Sequence, residues 1–150
     1  MKKQITTLYE YQKWANTRIL EAMAQQTEQD EKCLELMAHI LLAELVWYSR
    51  IESKPELPVW AKKTLNECKE MSTANNMLLA GLVAKQTEES LNRTVDYTNT
   101  KGNKYTNTVG QILTHLVNHS TYHRGQIIEK LKGKIPVMPI TDMIAFMREN

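Results

Sequence analysis

The chain has 150 residues, 42% of them hydrophobic, and a formal net charge of +2 from 19 basic and 17 acidic side chains. That length suits one domain, 1–150, with a real core, and the balanced charge, without a long block of either sign, argues against a nucleic-acid partner. No stretch approaches the roughly 18 uncharged apolar residues of a membrane span, and the opening Met-Lys-Lys-Gln-Ile-Thr-Thr lacks an apolar signal core, so no membrane partner and a cytoplasmic address are expected.

The first segment repeats Ile5, Leu8, Tyr11, Ala15, Ile19 and Ala22 at steps of three and four, with Lys13, Arg18 and Glu21 off that face. This is the pattern of an amphipathic helix. The second, roughly Glu31 to Ser53, is apolar nearly all round (Leu34, Met37, Leu41, Leu45, Val46, Trp47) and belongs in the middle of a bundle; Pro55 and Pro58 keep the connector after it irregular. Cys33 and Cys68 have no Cys-x-x-Cys neighbour and read as ordinary helix residues in a reducing compartment. Tyr9, Tyr11, Trp14, Trp47 and Tyr48 read as core or interface aromatics.

Thr64-Leu65-Asn66-Glu67 is a capping box for a third helix running to about Lys85. Between Asn92 and Asn107 the strand-prone runs Thr94–Thr98 and Lys104–Thr106 flank Thr100-Lys101-Gly102-Asn103, predicting a short β-hairpin that needs a surface to pack on. Thr108-Val109-Gly110-Gln111 caps the last long helix, which ends near Lys132-Gly133. After a loop with Pro136 and Pro139, Thr141-Asp142 starts a short helix ending at Glu149. Four main helices with one hairpin insertion predict an all-α chain, an antiparallel four-helix bundle with the hairpin before the last long helix.

That last helix carries His115, His119 and His123 at four-residue steps. Such a step drifts about 40° around a helix, so neighbouring pairs face one way and can chelate one ion. His115 and His123 are about 12 Å apart along the axis, too far to share it. The apolar stripe centres between Val109 and Leu113, which turns His123 and His119 inward and leaves His115 furthest toward solvent. A third ligand must come from elsewhere, and His39 on the second helix is the only other histidine. Three imidazoles leave coordination positions open for water or substrate, the catalytic arrangement, and suit zinc, nickel, iron or copper better than magnesium or calcium. The alternative is that these histidines are hydrogen-bonded structural residues and hold no metal. Glu44 reads first as a solvated helix residue, with a role beside the metal as the sharper alternative. Arg124 reads either as an anion ligand or as the partner of a carboxylate within the bundle. Gly125, inside a helix, predicts close approach of a neighbouring helix.

Four stretches carry a family resemblance: Leu8–Asn16, His39–Trp47, His115–Gln126 and Thr141–Phe146, spanning nearly the whole chain, with Asn118-His119-x-x-x-His123-Arg124-Gly125-Gln126 the most specific. The chain resembles the DinB family, within the DinB/YfiT-like superfamily. The resemblance implies an up-down-down-up four-helix bundle, commonly a homodimer. It also implies a metal triad of one histidine from the second helix and two from the last long one, at His39, His119 and His123. The metal expected is a divalent transition ion, zinc or nickel first, with iron, manganese or copper as further options. Relatives in the superfamily use low-molecular-weight thiols in transfer or isomerisation, so the expected activity is thiol S-transfer onto small-molecule electrophiles in stress or detoxification, with the thiol as co-substrate. A metal-dependent hydrolase and a non-catalytic, damage-inducible metal-binding protein are the alternatives. The family name reflects damage induction of a founding member and carries no implication of DNA contact.

Overall fold

Three of the four long predicted helices begin at a side chain that accepts from their free amide groups: Asp30, Thr64 and Thr108. In the computed structural model, which describes residues 1–149, the chain is mostly helical with one small antiparallel hairpin. Helix α1 spans Lys2–Met23 and α2 spans Glu31–Ile51. Asp30 caps α2, its Oδ1 accepting the amide hydrogens of Lys32 (2.9 Å) and Cys33 (3.1 Å). The helix stops two residues short of the expected Ser53 because Ser53 turns left-handed (φ 53°) and the Lys54 amide donates back to the Ser49 carbonyl at 2.8 Å. Helix α3, Leu65–Ala84, starts with the expected Thr64–Glu67 capping box. A single turn, α4 at Glu88–Leu91, was not anticipated; it contains one apolar residue, Leu91, and shows no period to read.

Strands β1 (Thr94–Thr98) and β2 (Lys104–Thr108) pair antiparallel, Thr94 opposite Thr108 and Thr98 opposite Lys104. The hairpin finds its surface on α2: Tyr97 packs edge-on to Trp47 at 4.8 Å, and the Arg50 guanidinium lies over both rings. Helix α5, Val109–Leu131, is capped by Thr108 and Gln111 as the sequence predicts, and α6 covers Met143–Glu149. Helices α1 and α2 each pack against both α3 and α5.

The core falls into two apolar clusters. One contains Ile5, Leu79, Leu82, Leu91, Val109 and Leu116; the other contains Ile19, Met23, Met37, Ile40, Cys68 and Ile127. Along α1 and α5 the chain passes from the first cluster to the second, and along α2 and α3 it passes from the second to the first.

Between the clusters lies a buried polar layer that overturns the reading of Glu44 as a solvated residue. Glu44 is only 3% exposed. Its carboxylate accepts from Gln12 (2.6 Å) and Asn16 (3.1 Å) of α1 and from Asn75 (2.8 Å) of α3. Arg124 of α5, equally buried, donates to Asn16 Oδ1 at 2.8 Å, to Thr121 Oγ1 at 2.8 Å and to the Tyr11 hydroxyl at 3.3 Å. Arg124 is thus linked to Glu44 through an asparagine, and its guanidinium is turned into the core rather than toward an external anion. Glycine placement also differs from expectation. A Cβ on Gly125 would meet nothing within 4 Å, whereas one on Gly110 would sit 3.2 Å from the Leu91 carbonyl oxygen, so the close approach occurs at Gly110.

Candidate metal centre

At the α2–α5 seam the three inward histidines meet. His39 comes from the apolar α2, which holds it 7% exposed; His119 and His123 lie one turn apart on α5 and are half-buried. One ring nitrogen from each lies within 4.8 Å of the other two. Two nitrogens on a single ion can be at most about 4 Å apart, given metal–nitrogen bonds of about 2 Å, so the cluster is within a side-chain adjustment of that spacing. His39 Nε2 and His119 Nε2 are already 3.1 Å apart. His115, exposed, stands outside the cluster with its ring centroid 5.7 Å from that of His119, as the helix geometry predicts.

The surroundings choose the tautomers. His39 Nδ1–H donates to the Val59 carbonyl at 3.0 Å, and His123 Nδ1–H donates to Gln126 Oε1 at 2.7 Å. A carbonyl oxygen can only accept, so Nδ1 is a protonated nitrogen in both rings and Nε2 is the atom left for ligation, that of His39 standing at hydrogen-bond distance from His119 Nε2. Outer hydrogen bonds of this kind orient metal-binding imidazoles. His119 has no such partner: its Nδ1 is buried without a hydrogen bond. Burial, with His123, His39 and His115 nearby, lowers its pKa to about 4, and burial also lowers that of His39. Neutral imidazole is the form that ligates a metal, so the donor set fits a divalent transition ion.

Sequence reasoning missed Val59 and Trp60. Both lie in the irregular connector after Ser53, where no period marks a residue as inward. Trp60 stacks flat on His39, ring centroids 3.7 Å apart and planes 7° from parallel, while 47% of its surface stays exposed. The signal present was a tryptophan just after Pro55 and Pro58 in an irregular connector, where a large apolar side chain needs something to cover. Trp60 walls two open clefts of about 650 and 610 Å³, and His123 lines the second. Among the described residues, no helix is long and apolar enough to cross a membrane.

Residues 1–147 match the model of the DinB family. The chain is similar to "Protein DinB" of Bacillus subtilis (strain 168), at 28% identity with 83% of each chain covered.

Proposed function

Because this chain belongs to the DinB family, we propose that it holds one divalent transition metal, zinc or nickel, on His39, His119 and His123 and acts as a metal-dependent thiol S-transferase on small electrophiles. The observation that carries the metal reading is the convergence of three imidazoles, two of them held through Nδ1 by Val59 and Gln126 so that Nε2 is the nitrogen left for ligation. Such an ion, when bound, lowers the pKa of a coordinated thiol or water.

The chain's own residues supply orientation and access. Val59 and Gln126 hold two of the rings, Trp60 covers one face of His39, and the cleft at His123 gives a small molecule a path to the cluster. That open path favours an enzyme over a sealed metal-storage site; activation of water, and hence hydrolysis, is the variant of the same chemistry. In transfer, the thiolate sulfur attacks the electrophilic carbon, a C–S bond forms, the bond to the leaving group breaks, and the thiol proton passes to solvent.

The order in which each long helix passes through the two core clusters supports an antiparallel, up-down-down-up four-helix bundle. The proposed molecule is a single-domain cytoplasmic homodimer without a nucleic-acid or membrane partner.

Cysteine and 1-chloro-2,4-dinitrobenzene provide the test, read as thioether formation with chloride release. Zinc- or nickel-loaded protein accelerates this reaction, while chelator-treated protein and the His119→Ala variant do not. Equal rates for all three preparations would remove the transferase reading.

A further inference from the structure

The 610 Å³ cleft beside His123 contains a glycine that packing does not explain. Gly125 is in the interior of α5, where glycine is the poorest residue short of proline, yet no neighbouring element comes within 4 Å of its missing Cβ. It lines the cleft together with His123, Trp60, Tyr122, Lys32 and Lys130. The cleft is wide open, so a ligand lying in it keeps one face toward solvent.

The lining is specific about ligand chemistry. Trp60 and Tyr122 are 47% and 65% exposed, an unusual display of two large rings beside a cluster of imidazoles. The carboxylate in the cleft, Glu129, is already paired with Lys132. Lys32 pairs with Glu35 and lies 5.9 Å from the Trp60 ring, while Lys130 has no hydrogen bond or ion pair among the described residues. The cleft therefore offers flat apolar surface, a bare strip of helix backbone, and cationic groups with one ammonium unclaimed.

We propose that this cleft is the substrate site, that it takes a small planar organic anion, and that Gly125 is bare so the ligand can lie against α5. The planar body packs on Trp60 and Tyr122, the anionic group sits toward Lys32 and Lys130, and the opposite end faces the histidines. The substrate role rests on the metal-centre reading; the binding measurement below does not.

Calorimetric titration of the full-length protein with 2-naphthoate and with neutral 2-naphthamide, metal-free and zinc-loaded, tests this. Naphthoate binds both preparations and is preferred over the amide by about fivefold, the scale of exposed ion pairing. Gly125→Ala, and more so Gly125→Leu, raises or preserves the melting temperature and leaves zinc stoichiometry unchanged, while Gly125→Leu weakens naphthoate at least about tenfold, or 1.4 kcal/mol. The Lys32→Ala/Lys130→Ala pair abolishes the preference for the anion. Naphthoate binding with these responses but without any zinc uptake would support the cleft while removing the metal reading. No naphthoate binding, unchanged binding in Gly125→Leu, or a lowered melting temperature in Gly125→Ala would overturn the proposal. So would a Gly125→Leu effect confined to oligomeric state, which assigns the face to a second copy of the chain.

Discussion

His39 shows how much a single side chain depends on groups remote in sequence. Its ring is held by a backbone carbonyl twenty residues away and by the indole next to it, and its lone pair meets a nitrogen from α5. Gln126 performs the same office for His123. Outer-sphere losses of this type typically weaken metal binding 10- to 100-fold, so Gln126→Ala should raise the zinc dissociation constant by about tenfold in chelator competition, with unchanged helicity. Glu44 has a different task. It collects three amide donors while only 3% exposed, and Glu44→Ala leaves those donors unpaired. The expected loss is about 3 kcal/mol in urea unfolding, with Glu44→Gln losing less because it retains an acceptor oxygen. The mutant should keep its metal, because Glu44 bonds Gln12, Asn16 and Asn75 and none of the three histidines.

At the scale of elements, the caps and periods were readable because they are local. Thr64 with Glu67, and Thr108 with Gln111, announce helix starts within four residues, and the hairpin announces itself by composition. The histidine cluster was readable for a related reason: a four-residue step fixes direction on one helix, and only one other histidine exists to complete the set. The connector after α2 was not readable, since the placement of Val59 and Trp60 depends on a tertiary contact and follows no repeat. Nor was the burial of Glu44, which requires Gln12, Asn16 and Asn75 to converge from two other helices. Asp30 gives an element-scale prediction. Its hydrogen bond to Lys134, and those from the Cys33 and Lys32 amides, lower its carboxyl pKa to about 2, against roughly 3.9 in an unfolded chain. A carboxyl lowered on folding stabilises above its unfolded pKa and loses that contribution as pH falls through the folded one. Urea midpoints of the wild type should therefore drop relative to Asp30→Asn between about pH 4 and pH 2. Parallel midpoints over that range would contradict the assignment.

For the whole molecule, a buried polar network around Glu44 and Arg124 lies between the two apolar clusters. Side chains from all four long helices meet in that layer, though Gln12 Oε1 and Arg124 Nε are buried in it without a hydrogen-bond partner. At the α2–α5 seam three imidazoles meet, one with a buried nitrogen that has no hydrogen-bond partner. A chain that buries neutral histidines without a ligand gains little from doing so, whereas a metal ion turns the same residues into a cross-link between α2 and α5. Sedimentation velocity should find a dimer of this 150-residue chain, and a monomer at micromolar concentration would remove the oligomeric expectation carried by the resemblance.

The most direct measurement is the metal content of tag-free protein by elemental analysis, beside His39→Ala, His119→Ala and His123→Ala. About one zinc or nickel ion per chain, lost in each variant while helicity is retained, is the expected result. A wild type that takes up no transition metal after reconstitution, or variants that keep it, would contradict the metal centre and return the three histidines to a structural role.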